Sequence, residues 1–346
     1  MKKICLLIVA FCLLALAGCA PQNAATQGGS SSGAYAVVTD DRGTVVTLPK
    51  KPQRVVVLST SLLNFAAAVD GDLAGRSAVK AEDASLPAKY QAVPDVGPVY
   101  NVSLEKVLAC QPDLVIASAD HHAKLAAQLE ESHIPVLVLK TKTYDDVKRN
   151  LDIIGKVYGK EDAAKAKEAE LDQAVQAIAD AVPAQGKRVA IIHATPSSVS
   201  VELPSSIAGD MAQLLHLQNI AADAATDGQT TRIPYSMESL VQADPDVIFL
   251  TSMGSSDKIE KRIQEDIKGN PAWASLSAVK AARSYVLPEK YFLLNPGLDY
   301  PKPSPIWPIW SIRRPFMNSV ASRHRTLWRW LVLGAFAVLA LAGLIL

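Results

Sequence analysis

The feature that most constrains this chain is an internal repetition at a fixed offset. Ser103-Leu104-Glu105, a short apolar helix face and Gln111-Pro112-Asp113-Leu114-Val115-Ile116-Ala117-Ser118 are matched, 133 residues on, by Ser236-Met237-Glu238 and Asp244-Pro245-Asp246-Val247-Ile248-Phe249-Leu250-Thr251. Each copy predicts a helix with serine at its N-cap and glutamate in its first turn, ended by the residue before proline. The strand that follows is an unbroken apolar run, the pattern of a strand buried on both faces. Upstream, Arg54-Val55-Val56-Val57-Leu58-Ser59 and Arg188-Val189-Ala190-Ile191-Ile192-His193 open the two halves with another buried strand, 134 residues apart. Two similar α/β lobes are implied.

Between them, Tyr144 to Val182 holds no proline, and its only glycines are Gly155 and Gly159. They bracket the break between a helix over 143–156 and a second over 161–182. The second is rich in Ala, Glu, Lys and Gln and would span about 33 Å, enough to bridge two domains. Large apolar residues at heptad spacing are too few for a coiled coil.

The chain begins with Lys2 and Lys3, an apolar run from Ile4 to Ala17, and Leu16-Ala17-Gly18-Cys19. This resembles the bacterial lipobox, which implies cleavage before Cys19 and acylation of that cysteine, with residues 1–18 as the signal peptide. Residues 19–35 read as a polar tether. Cys110 would then have no disulfide partner and reads as a buried structural thiol. Formal net charge is +1, yet eight of the 35 basic residues lie outside 20–301 while all 34 acidic ones lie inside, leaving that block at about −7. A nucleic-acid surface is therefore not expected.

Lipobox, tether, Arg-Val-Val-Val-Leu strand, Val96-Gly97 loop, both Glu…Pro-Asp copies and the long helix occur in an order similar to the solute-binding lipoproteins of ATP-driven importers for iron chelates, heme and cobalamin, the class III binding proteins. The similarity covers about residues 36–300. It implies two Rossmann-like lobes joined by a single long helix, a ligand held between them with little hinge closure, and a monomer outside the cell membrane, held there by its lipid. It further implies an ABC permease and its ATPase as partners.

In α/β sheets ligands sit beyond the carboxyl ends of strands. Those ends predict a rim of Ser59, Thr60 and Ser61, Tyr100 and Asn101, and His121 and His122 in the first lobe. The second lobe contributes Ser197, Ser205, Ser252 and Tyr291. Hydroxyls and aromatics dominate, which suits a bulky, partly apolar chelate. The resemblance assigns Glu105 and Glu238 to docking on the permease; stabilisation of a helix N-terminus explains the same glutamates equally well.

No Gly-x-Ser-x-Gly, His-Glu-x-x-His, phosphate loop or Cys-x-x-Cys is present, so no catalytic residue is assigned and no enzyme is expected. The alternative is an extracytoplasmic metal or redox enzyme using His121 and His122. Direct zinc capture would draw on only His193 and His216 in the second lobe, and His216 reads as a helix residue; no metal site is assigned. No covalent cofactor is required. By elimination a ferric siderophore leads, heme follows with Tyr100 as a conceivable tyrosinate ligand, and a corrinoid is third.

After Tyr300 the character changes. Residues 301–316 are a Pro- and Trp-rich junction, and 317–346 combine a basic head (Arg323, Arg325, Arg329) with sixteen uncharged residues from Leu331 to Leu346. This anomalous hydrophobic segment resembles the first, truncated transmembrane helix of a permease. Positive-inside orientation contradicts an exported lipoprotein. A frameshift or gene-model join and a real C-terminal anchor are the two readings. The expected layout is thus a signal (1–18), a tether (19–35), an N-terminal lobe (36–142), connecting helices (143–183), a C-terminal lobe (184–300), the junction and the basic hydrophobic tail.

Overall fold

The computed structural model describes residues 33–79, 86–181, 186–225, 230–253, 257–293 and 296–301. The signal, Cys19, most of the tether and the segment 302–346 lie outside the described residues. Among the described residues no helix is long and apolar enough to cross a membrane.

An antiparallel hairpin, β1 (Ala36–Thr39) and β2 (Val45–Leu48), precedes the first sheet. That sheet contains β3 (Val55–Val57), β4 (Gly75–Arg76), β5 (Leu114–Ser118) and β6 (Val136–Leu139) in the order β4-β3-β5-β6, all parallel. Every residue of β3, β5 and β6 is buried, because helices cover both faces. Val55, Val57, Leu114, Ile116, Leu137 and Leu139 pack into one core, and Val56, Val115, Ala117, Val136 and Val138 into the other. The helices of this half are α1 (Thr60–Ala68), α2 (Ala88–Gln91), α3 (Leu104–Ala109) and α4 (Ala123–Glu131).

Two helices lead to the second sheet, α5 (Tyr144–Tyr158) and α6 (Glu161–Ala181). A capping box starts α5: Asp146 N–H donates to Thr143 Oγ1 while Thr143 N–H donates to the Asp146 carboxylate, both at 3.1 Å. Gly159, at φ +59°, ends it in the left-handed region. Tyr144 Oη donates to Asp172 Oδ1 at 3.0 Å and ties the two helices together.

The second sheet is mixed. It contains β7 (Arg188–Ala194), β8 (Val199–Glu202), β9 (Gln218–Asn219), β10 (Arg232–Pro234), β11 (Val247–Ser252) and β12 (Ser284–Val286), in the order β10-β8-β7-β11-β12 with β9 also on β7. β9, β7, β11 and β12 are parallel, whereas β8 runs against both β7 and β10. Its helices are α7 (Ile207–Leu214), α8 (Met237–Ala243), α9 (Asp257–Arg262), α10 (Ser277–Lys280) and α11 (Glu289–Phe292).

The repeat read from the sequence has a physical basis in how each sheet starts. Asp113 accepts Arg54 N–H at 2.8 Å, and Asp246 accepts Arg188 N–H at 3.0 Å. In return, the N–H of each aspartate donates to the carbonyl of the same arginine. Each Pro-Asp thus clamps a β-strand to the start of its neighbour, with Val55 opposite Leu114 and Val189 opposite Val247. Cys110 is buried beside Gly75, where a Cβ would lie 2.8 Å from its sulfur, and burial pushes its thiol pKa up. His216 does not lie on a helix: at φ +58° it follows α7 as a left-handed residue.

Candidate functional site

At the carboxyl edge of the first sheet, β3 runs directly into Ser59, whose Oγ lies 2.9 Å from that of Ser61 at the start of α1. The loop carrying Tyr100 and Asn101 sits beside them, because the stretch before it pairs in parallel with β4 through Arg76 and Asp95. Tyr100 is 73% exposed, the most exposed large apolar-bodied side chain described. Its ring meets that of His121 edge to face, centroids 4.8 Å apart and planes at 73°.

His122 departs from expectation. It is 2% exposed, and both ring nitrogens are engaged: Nδ1 accepts Ser118 N–H at 3.0 Å and Nε2–H donates to the Val99 carbonyl at 2.9 Å. Burial favours the neutral ring by lowering its pKa. A ring so used has no lone pair left for a ligand. It fastens the Tyr100 loop to the end of β5 and is a positioning residue.

The second sheet places Ser197 in the exposed hairpin after β7, Ser252 at the end of β11 and Tyr291 in α11 beyond β12, all at the carboxyl edge. Ser205 follows β8, which runs against β7, and its Oγ donates to the Thr230 carbonyl at 3.1 Å.

His193 is buried within the second sheet. Its Nδ1–H donates to Thr251 Oγ1 at 2.9 Å, and Thr251 in turn donates to Glu202 Oε1 at 2.7 Å. Glu202 is fully buried, and Arg232 Nη2 lies 3.6 Å from the same oxygen. Burial, then the Arg232 charge, push the imidazole pKa down to about 4. This histidine is a neutral link in a core chain.

Three residues missed in the sequence belong to the rim. Lys142, three positions past β6, pairs with Asp120 at 2.9 Å. Arg262, at the end of α9, pairs with Asp266 at 2.7 Å and approaches the Pro196 carbonyl at 3.4 Å. Met253, just beyond β11, is 58% exposed. The Lys140-Thr141-Lys142 run directly after an apolar strand was the available signal for Lys142.

Glu105 and Glu238 occupy equivalent places. In α3, Ser103 Oγ accepts Lys106 N–H at 3.3 Å; in α8, Ser236 Oγ accepts Ser239 N–H at 3.2 Å. Both helices run back from the carboxyl edge, so both glutamates stand at that edge, exposed. A small, open apolar depression lies between α6 and α7, lined by Val175, Ile178, Met211, Leu214, Leu215 and Tyr300, and its lining includes none of the candidate residues.

Hydroxyls, aromatics and cations gather where α/β sheets hold their ligands, beyond the carboxyl ends of parallel strands. Residues 55–291 match the periplasmic binding protein family, and the chain belongs to that family. Among similar proteins are the Fe(3+) dicitrate-binding periplasmic protein FecB of Escherichia coli, 30% identical over 250 residues (71% of this chain, 79% of FecB), and the Fe(3+)-citrate-binding protein YfmC of Bacillus subtilis, 28% identical over 280 residues (79% and 85%). The fold matches Staphylococcus aureus SirA complexed with staphyloferrin B (TM-score 0.62, 21% identity, 79% of this chain and 96% of SirA). It also matches S. aureus IsdE complexed with heme (TM-score 0.61, 21% identity, 74% and 97%).

Proposed function

We propose that this chain is the extracytoplasmic substrate-binding component of an ABC importer, anchored by a lipid on Cys19, and that it captures a ferric chelate and hands it to a permease. The observation that carries the reading is the edge shared by Tyr100, His121 and Lys142, in a chain whose relatives include proteins named for Fe(3+)-citrate. Lys142 and Arg262 suit an anionic chelate of the siderophore or citrate type, because a partly solvated cation beside a carboxylate can exchange that partner for a ligand oxygen. Ser59, Thr60, Ser61, Asn101, Ser197, Ser252 and Tyr291 supply hydrogen bonds around it. Glu105 and Glu238 orient the loaded protein on the permease, a rim role that acts on encounter more than on affinity.

Heme is the second reading, favoured by the Tyr100–His121 contact alone. Titration of the protein with ferric citrate, a ferric siderophore and heme separates them. Saturable binding of a ferric chelate that weakens about tenfold in Lys142→Gln supports the first reading. A Soret band that shifts in Tyr100→Phe promotes heme instead, and no binding of any of the three overturns both.

A further inference from the structure

The repeat equates more than the two glutamates. Three residues after Glu105 comes Leu108, three after Glu238 comes Val241, and these too are 133 positions apart. Leu108 is 39% exposed and Val241 38%, although the residues just before them, Val107 and Leu240, are buried at 0% and 2%. Residues three apart share a helix face. Each of the two equivalent helices therefore presents a carboxylate and an apolar side chain together, outward, at matching exposure. Among the described residues neither carboxylate has an ion-pair partner.

A single exposed leucine needs no explanation. A matched pair at the same repeat position, each beside an unpaired glutamate, does. We infer that Leu108 and Val241 are apolar contacts of the docking surface, seated in sockets beside basic groups on the outward face of the permease. The occupant must be two-fold symmetric or nearly so, since the same two-residue element is offered once per half. Charge would guide the approach, and the apolar pair would hold the complex once water is expelled. This inference rests on the docking role proposed for Glu105 and Glu238.

The test is uptake by host cells lacking the chromosomal copy, complemented with graded amounts of the full chain and supplied with radiolabelled iron as ferric citrate and as a ferric siderophore, and with radiolabelled heme. Leu108→Gln with Val241→Gln should leave chelate affinity and thermal stability unchanged. The amount of binding protein needed for half-maximal uptake should rise about tenfold or more. The shift should persist at high external salt, whereas that of Glu105→Gln with Glu238→Gln should shrink as salt rises. Leu108→Ile with Val241→Leu should restore wild-type behaviour. If the glutamate variants shift the curve and the glutamine pair at 108 and 241 does not, the apolar inference fails while the docking reading stands. If neither pair shifts it although the wild type supports uptake, docking lies elsewhere and both fail.

Discussion

His193 shows how a buried histidine becomes a liability for stability. Its pKa is about 4 in the fold against an ordinary 6.5, so the unfolded chain takes up a proton over that interval and the folded chain does not. Stability from this site is complete above pH 6.5 and drains away as pH falls to about 4, by on the order of 3 kcal/mol in all. His193→Asn retains a donor for Thr251 but cannot titrate, so its melting temperature should fall less steeply between pH 6.5 and 4 than that of the wild type. Parallel pH profiles would show that the imidazole is not the group responsible. His122 makes the related point for the site. The sequence placed it correctly at the end of β5, beside His121, but only three-dimensional contacts reveal that its ring faces the Val99 carbonyl while its neighbour faces Tyr100. Which of two adjacent histidines is buried depends on one backbone turn, and the composition around them carries no trace of it.

Among the elements, the repeated helix–Pro-Asp–strand unit was legible because local chemistry enforces it: a serine cap, a proline stop and an aspartate that clamps the next strand. The direction of β8 is not legible in the sequence. Val199-Ser200-Val201-Glu202 has the same alternation whichever way it runs, and the hairpin at Thr195–Ser198 is what turns it back along β7. The turn after β8 is tight as well: Gly209, on the first turn of α7, lies so close to β8's exit that a Cβ would sit 2.0 Å from the Leu203 carbonyl oxygen. Gly209→Ala should therefore destabilise the protein by about 3 kcal/mol, the upper part of the usual range for overpacking. A denaturant titration with an unchanged midpoint would mean that the loop shifts freely and that α7 is not wedged against it.

In the whole molecule, α5 and α6 do more than connect. Asp210 on α7 accepts Tyr144 N–H, at the start of α5, at 2.8 Å, and Tyr300 Oη lies 2.8 Å from both the Asp210 carboxylate and the Lys142 carbonyl. The helix entry, the second-sheet helix α7 and the last described turn thus meet at one polar junction beside Lys142. The central claim is that a ferric chelate occupies the candidate site without being transformed. Native mass spectrometry of the full chain, recovered from its own host grown without added iron and then exposed to ferric citrate, a ferric siderophore or heme, tests it most directly. One intact iron chelate per chain, released unchanged on denaturation, is the predicted result; a chain that keeps its bare mass under every condition, or that returns an altered molecule, would contradict it.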